Sequence, residues 1–326
     1  MSACRDAGRA AAVARAFGLG DDARFTGRVE RGEQGRVERG EQGRVEQLLT
    51  SRGAFAVKTS FGEPDLDGED AAFQAAARAE GVPAPDVVRA AGGTWHADIG
   101  GLPVRVHEWV DLLPADRGID PAEAGRVVAA IHRTPFAGNR PEDPWYTDPV
   151  GAAAWDRLVR DLAAAGAPFA AGVAGLRDDL VALEAHLAPA AVLRTCHRDL
   201  WAENLRRTRS GGLCVIDWEN CGLADPGQEV AGVVFELGIR DRARGGEVYR
   251  SYREAGGPGM VRTRADFSMT IAQLGHILEI ACRIWLDPDT SEAERRHQER
   301  RVAEFVDDPL TVAVVDELLA AVGDVG

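Results

Sequence analysis

The spacing of apolar side chains changes once along the chain. From Pro121 onward it follows the helical repeat, which predicts helices over 121–133, 150–164, 175–188, 226–240, 244–255, 264–286, 291–306 and 309–322. Phe267, Ile271, Leu274, Leu278, Ala281 and Trp285 keep that spacing and are read as core, and His276 in the same run as a packed histidine. Before Pro121 the runs are shorter and alternate. Residues 44–49 and Ala54–Thr59 read as two strands joined by the turn Thr50-Ser51-Arg52-Gly53, and further short strands fall near 86–97 and 103–110. The good helix formers at 69–80 are stopped by Gly81 and the Val82-Pro83-Ala84-Pro85 turn. Strands gathered ahead of helices indicate an α+β chain with its hinge at Val106–Val110, dividing 1–110 from 111–326. Within the helical part, the short apolar runs Val192-Leu193 and Leu213–Ile216 are expected to form a strand pair around residues 197–204.

An octapeptide interrupts the first part. GRVERGEQ occupies 27–34, recurs at 35–42 and begins again as GRVE at 43–46. A unit that short, with so few apolar side chains, cannot bury a face of its own, so it reads as a tandem expansion inside one loop or strand end. The stretch from Gly40 to Val45 fits the end of a phosphate-binding glycine loop, G-x-x-G-x-V, with Gly40, Gly43 and Val45 as the matching positions and Glu38 where a first glycine would stand. Glycine lets backbone N–H groups approach phosphate closely.

Composition sharpens one position. Of the 38 Lys and Arg residues only Lys58 is a lysine, and it lies in the predicted strand Ala54–Thr59, one hairpin away from the glycine loop. Where arginine is otherwise used throughout, a retained lysine marks a place that calls for a compact ammonium instead of a planar fork. Phe55-Ala56-Val57-Lys58 matches the V-A-I-K strand whose lysine pairs with nucleotide phosphates. Its acidic partner is expected at the start of the 69–80 helix, where Glu69 and Asp70 are both candidates.

The formal net charge of −14 disfavours nucleic acid and anionic membrane surfaces as partners and favours a cationic small molecule. No protein partner is implied. Five cysteines, an odd number without C-x2-C spacing, indicate a reducing compartment and buried thiols instead of a zinc site. Arg9 and Arg15 break the Ala-rich stretch 7–17, which therefore lacks the continuous apolar region of a signal peptide. A cytoplasmic protein is expected.

The chemistry concentrates in Cys196–Asn220. His197, Asp199 and Asn204 form an H-x-D-x4-N pattern, and Asp217 follows Asp199 by eighteen residues at the end of an apolar run. An Asp to accept a hydroxyl proton, with an Asn and a second Asp to hold Mg²⁺, are the parts that phosphoryl transfer to an alcohol requires. On this reading Asp199 is catalytic and Asn204 and Asp217 are metal ligands. ATP is the expected cofactor, with the glycine loop and Lys58 at its phosphates. Only eight residues separate Asp217 from Pro226, too few for an activation segment, so the acceptor is a small molecule and not a protein.

At these residues, and at Ile216-Asp217-Trp218-Glu219 and Gly222-Leu223-Ala224-Asp225-Pro226, the chain resembles the aminoglycoside phosphotransferase family from about Phe25 to Trp285. The resemblance implies a bilobal, protein-kinase-like α+β fold, with a small antiparallel-sheet N-lobe, a larger, mainly helical C-lobe, and ATP between them against the hinge residues Glu108, Trp109 and Val110. It also implies ATP- and Mg²⁺-dependent phosphorylation of a hydroxyl on an aminoglycoside or similar metabolite. Choline, homoserine and sugar kinases share the chemistry, and a nucleotide-binding module of weak activity is the alternative if the repeat distorts the phosphate loop.

Overall fold

A computed structural model describes residues 2–28, 43–61 and 67–323. The 27–46 repeat lies largely outside these residues, Gly40 with it.

In chain order the first elements are helix α1 (Ser2–Phe17), strands β1 (Arg24–Arg28), β2 (Gly43–Thr50) and β3 (Gly53–Ser60), helix α2 (Glu69–Ala79) and strands β4 (Val87–Val88), β5 (Ala97–Asp98) and β6 (Pro103–Glu108). The strands make one antiparallel sheet in the order β1-β2-β3-β6-β4, with β5 also on β6. The predicted hairpin is present, paired from Gly43↔Ser60 to Thr50↔Gly53. A Cβ on Gly43 would come within 2.7 Å of the Thr59 carbonyl oxygen, so strand approach by itself requires glycine there. One face of the sheet carries Leu48, Val57, Val104 and Val106 into a core with Ala10, Val13, Ala14 and Phe17 of α1. Those four residues keep i, i+3, i+4, i+7 spacing, so the Ala-rich stretch is an amphipathic helix on the sheet.

The later elements are α3 (Pro121–Arg133), α4 (Pro144–Thr147), α5 (Ala152–Ala165), α6 (Ala170–Glu184), β7 (Arg194–Cys196), β8 (Leu205–Arg207), β9 (Leu213–Val215), β10 (Gly222–Ala224), α7 (Pro226–Gly238), α8 (Arg242–Glu254), α9 (Ser268–Leu286), α10 (Glu292–Asp307) and α11 (Val312–Gly323). The eight helices predicted beyond Pro121 all form. Several start where the sequence supplies a cap. The Asp225 carboxylate accepts from Gly227 N–H ahead of Pro226 in α7, and Asp241 and Ser291 accept likewise at α8 and α10. The anticipated apolar stripe of α9 is buried, and Leu278, Ala281 and Trp285 share a core with Trp155, Leu158 and Leu162 of α5.

One pairing differs from expectation. Leu213–Val215 pairs with Leu205–Arg207, closed by the Thr208–Gly212 turn, and Arg194–Cys196 pairs with Gly222–Ala224. Val192 and Leu193 are exposed and lie outside both ladders. A tight local hairpin needs no long loop closure, which favours it over pairing across twenty residues.

The chain forms two compact units. The first comprises Met1–Asp116, Thr134–Phe136 and Glu203–Asn220, and the second Arg117–Arg133, Ala137–Ala202 and Cys221–Gly326. A division at residue 110 would leave the β8–β9 hairpin with the helices. Backbone hydrogen bonds place it with the sheet instead: Leu113 N–H donates to Arg207 O, Arg209 N–H to Asp111 O, and Val215 N–H to Pro83 O.

Candidate active site

In the first unit, strand pairing sets Lys58 on β3 opposite Val45 of β2 and Arg105 of β6. Its ammonium lies 2.9 Å from Asp217 Oδ1 and 2.7 Å from Glu219 Oε2. Arg105 pairs with Asp70 and lies 4.0 Å from Glu219 Oε1, so the ion pairs run Asp217–Lys58–Glu219–Arg105–Asp70. Burial opposes charge on Lys58, but Asp217 and Glu219 outweigh it and raise its pKa, keeping the ammonium charged at every physiological pH. Burial, reinforced by Lys58 and Arg105, lowers His107 to about 4, so this neighbour stays neutral.

The partner of Lys58 thus differs from the expected one. Glu69 and Asp70 stand at the start of α2, but Asp70 holds Arg105, and the carboxylates that reach Lys58 come from the segment after β9. Glu219 was given no role by the sequence. Its signal was an acid two residues after Asp217 with the buried Trp218 between, which turns both carboxylates the same way.

Local structure explains how Asp217 is held. It follows β9 with φ of 64°, a left-handed conformation uncommon outside glycine and best tolerated by Asn and Asp. A 3-10 turn, Trp218–Asn220, comes next. Trp218 anchors this turn: its indole N–H donates to Val215 O at 3.2 Å, and its ring packs edge-on to Phe73 of α2 with centroids 5.4 Å apart. Asn204 immediately precedes β8, and its carbonyl accepts from Ile216 N–H at 3.0 Å. The β8–β9 ladder therefore brings the two predicted metal ligands, Asn204 and Asp217, to one end of a single hairpin.

Gly43 and Val45 lie on β2, in ladder pairing with β3. The hinge residues follow directly on the sheet. Glu108 N–H donates to Asp86 O, Trp109 N–H to Ala54 O, and the Trp109 indole to Asp111 Oδ1 at 2.8 Å, with Val110 next in the chain.

Asp199 belongs to the second unit, in the loop after β7. From Thr195 to Ala202 every residue is buried except Asp199, which is half-buried. Arg198, just before it, is left-handed with φ of 63°. Both sides of that residue are held. Glu229 of α7 accepts from the backbone N–H groups of Arg198 and His197, and Gln273 of α9 donates to the Arg198 carbonyl at 2.9 Å. The Arg198 guanidinium donates to Pro141 O at 3.0 Å and Cys221 O at 3.2 Å and lies over the Tyr146 ring. Burial opposes the charge of Glu229, but His132, His197 and the Arg198 N–H lower its pKa below the ordinary carboxylate value.

The chemistry available is specific. An ammonium rests between two carboxylates in one unit, with Asn and Asp oxygen donors on one hairpin end, and a loop held on both sides carries one half-buried carboxylate in the other. Cys196, Cys214, Cys221 and Cys282 are buried and not joined in disulfides. No helix among the described residues is long and apolar enough to cross a membrane.

Comparisons with known proteins identify the family and the fold. No curated protein matches the chain by sequence. Among solved structures, the fold is similar to spectinomycin phosphotransferase APH(9)-Ia in complex with ADP and spectinomycin, with a TM-score of 0.69 at 14% identity over 96% of this chain and 97% of that one. It is also similar to a microcompartment-associated aminopropanol kinase (TM-score 0.58, 16% identity, 97% and 98% covered). An aminoglycoside phosphotransferase from Alicyclobacillus acidocaldarius is a third such structure (TM-score 0.55, 17% identity, 95% and 94% covered). The sequence profile described as the phosphotransferase enzyme family matches residues 34–265, which span Lys58, the His197–Asn204 loop and Asp217. The chain belongs to that phosphotransferase family and has its kinase-like α+β fold.

Proposed function

We propose that this enzyme transfers the γ-phosphoryl group of ATP to a hydroxyl of a small cationic molecule, an aminoglycoside or a simpler amino alcohol. The observation that carries the reading is the ion pair between Lys58 and Asp217, 159 residues apart in sequence and 2.9 Å apart in space. A strand lysine against the carboxylate read as a metal ligand supports this reading, because phosphoryl transfer from a nucleotide needs a phosphate-binding cation beside the metal-binding group.

The residues present fit a magnesium ion. Asn204 and Asp217 supply hard oxygen donors from one hairpin end, and the cluster of Asp70, Asp217 and Glu219 against Lys58 and Arg105 carries one more negative charge than positive. Bound there, the ion would offset charge on the nucleotide phosphates. Lys58 would pair with the phosphates, with Glu219 as its remaining anchor. The backbone of Gly43 and the hinge Glu108–Val110 are the proposed nucleotide contacts in the described residues, and Gly40 extends that set in sequence. Asp199 would orient the acceptor hydroxyl and take its proton as the phosphoryl group leaves ADP.

The preference for a cationic acceptor rests on the net charge of −14. It is supported by solved relatives that bind spectinomycin or are called an aminopropanol kinase. The test is Mg²⁺-dependent ADP release against a panel of aminoglycosides, amino alcohols, sugars and neutral alcohols, with the product weighed by mass spectrometry. A gain of one phosphoryl group on an amine-bearing acceptor is expected. Turnover confined to neutral sugars would remove the cationic preference, and ATP binding without transfer to any acceptor would remove the proposed activity.

A further inference from the structure

Behind the loop that carries Asp199 lies a hydrogen-bonded chain of buried polar groups. Glu229 Oε2 lies 2.6 Å from His132 Nε2, His132 Nδ1 lies 2.8 Å from the Tyr252 hydroxyl, and that hydroxyl accepts from Gly259 N–H at 2.7 Å. His132 is 1% exposed, Tyr252 0% and Glu229 1%. One polarity satisfies every member. Gly259 N–H donates to Tyr252 Oη, the Tyr252 hydroxyl to His132 Nδ1 and His132 Nε2–H to Glu229, which accepts from the His197 and Arg198 N–H groups at its other face. Burial raises the Tyr252 pKa, which keeps this hydroxyl able to donate.

We propose that Tyr252 and His132 are positioning residues that act through Glu229 to hold Arg198 left-handed and so aim Asp199. The inference rests on the reading of Asp199 as the acceptor-side base. The physical reason is the strain at Arg198: a non-glycine residue in that conformation persists only where its surroundings over-determine it. The Glu229 carboxylate can grip two adjacent N–H groups firmly only if its own orientation is fixed, and the His132–Tyr252 pair fixes it from two further helices, α3 and α8. Cys196 Sγ, His132 and Glu229 offer ligand atoms within 4.8 Å of one another, which suggests a metal, but both ring nitrogens of His132 are engaged and burial keeps the Cys196 thiol protonated. A hydrogen-bond chain accounts for the cluster.

A neighbouring residue supplies the control. Tyr249 is also buried, stacks on Tyr252 and accepts through its hydroxyl from Val261 N–H at 3.1 Å, in the same segment as Gly259. Tyr252→Phe and Tyr249→Phe each remove one hydroxyl from the same place, but only Tyr252 reaches His132 in the chain described.

The experiment compares the two variants by amide hydrogen exchange over residues 194–199 and by basal ADP release from Mg²⁺-ATP, for which water is the acceptor. Tyr252→Phe is expected to exchange the His197 and Arg198 amides at least tenfold faster and to lower kcat about tenfold, with KM for ATP within twofold of the parent. Tyr249→Phe should match the parent in all three. Equal behaviour of the two variants, or a Tyr252→Phe effect confined to melting temperature, would overturn the proposal. If Tyr252→Phe does not fold, His132→Gln is read against the same expectations. Asp199→Asn separates the two readings. Retained turnover in that variant would remove the base assignment, whereas the exchange data report on the positioning chain in either case.

Discussion

Replacing Lys58 with methionine tests the site where the sequence and the fold converge. Methionine keeps the unbranched stem and removes the ammonium, leaving Asp217 and Glu219 without their shared cation. A hydrogen bond between charged groups contributes about 1.5–3 kcal/mol. Asp217 is 18% exposed and should show most of that, whereas Glu219, at 39%, is wet enough that its share is about 1 kcal/mol or less. The expected destabilisation is therefore about 2–3 kcal/mol, a fall of roughly 3–5 °C in Tm for a chain of this size. Because the Lys58 pKa is raised, this contribution is present throughout the neutral range and is lost only in strongly alkaline solution. The assay is a thermal double-mutant cycle. Lys58→Met with Asp217→Asn removes both the cation and the carboxylate it served, so the double variant should be more stable than the sum of the single losses predicts by about 1–2 kcal/mol. Additivity within about 0.5 kcal/mol would refute the coupling on which the site description depends. Lys58→Arg keeps the charge and most of the stability, but its planar fork displaces the contact, and an error of about 1 Å at a reacting centre costs on the order of a hundredfold in rate.

Two further predictions follow from the same cluster. His107 is lowered to about 4 by burial and by Lys58 and Arg105, against the opposing attraction of Asp70 and Asp217; the unfolded chain therefore binds the extra proton first, and stability should fall as pH drops from about 6.5 towards 4, by up to about 3 kcal/mol. Urea unfolding across that range checks it, and His107→Gln should flatten this limb. Arg105→Leu removes the cation paired with Asp70, a carboxylate 2% exposed, and should cost about 3 kcal/mol by urea unfolding, with part of the loss recovered by adding Asp70→Asn.

How much was legible in the sequence depended on how local the signal was. Helix existence beyond Pro121 was readable because each helix carries its own apolar stripe, and the β2–β3 hairpin because its turn and alternation lie within twenty residues. The partner of Lys58 was not. Glu69 and Asp70 stand at the expected place, but Arg105, directly across from Lys58 on β6, pairs with Asp70, and the carboxylates of Asp217 and Glu219 reach Lys58 instead. Sequence spacing does not report cross-strand neighbours. The pairing of β7 with β10 was missed for a related reason: three-residue strands carry too little alternation to assign partners. The Arg198–Glu229–His132–Tyr252 chain left no motif either, since its members come from four separate segments. Asp199, Asn204 and Asp217 stand out in the sequence because phosphoryl-transfer chemistry fixes the spacing of such residues on one short stretch of chain.

The central claim is that Asp199 takes the acceptor proton while Lys58, Asn204 and Asp217 serve the nucleotide and its metal. Asp199→Asn measures it most directly, through kcat for transfer alongside the Kd for Mg²⁺-ATP by calorimetry. The account predicts a loss of at least a hundredfold in kcat with Kd changed less than threefold. Turnover within tenfold of the parent at unchanged Kd would contradict it.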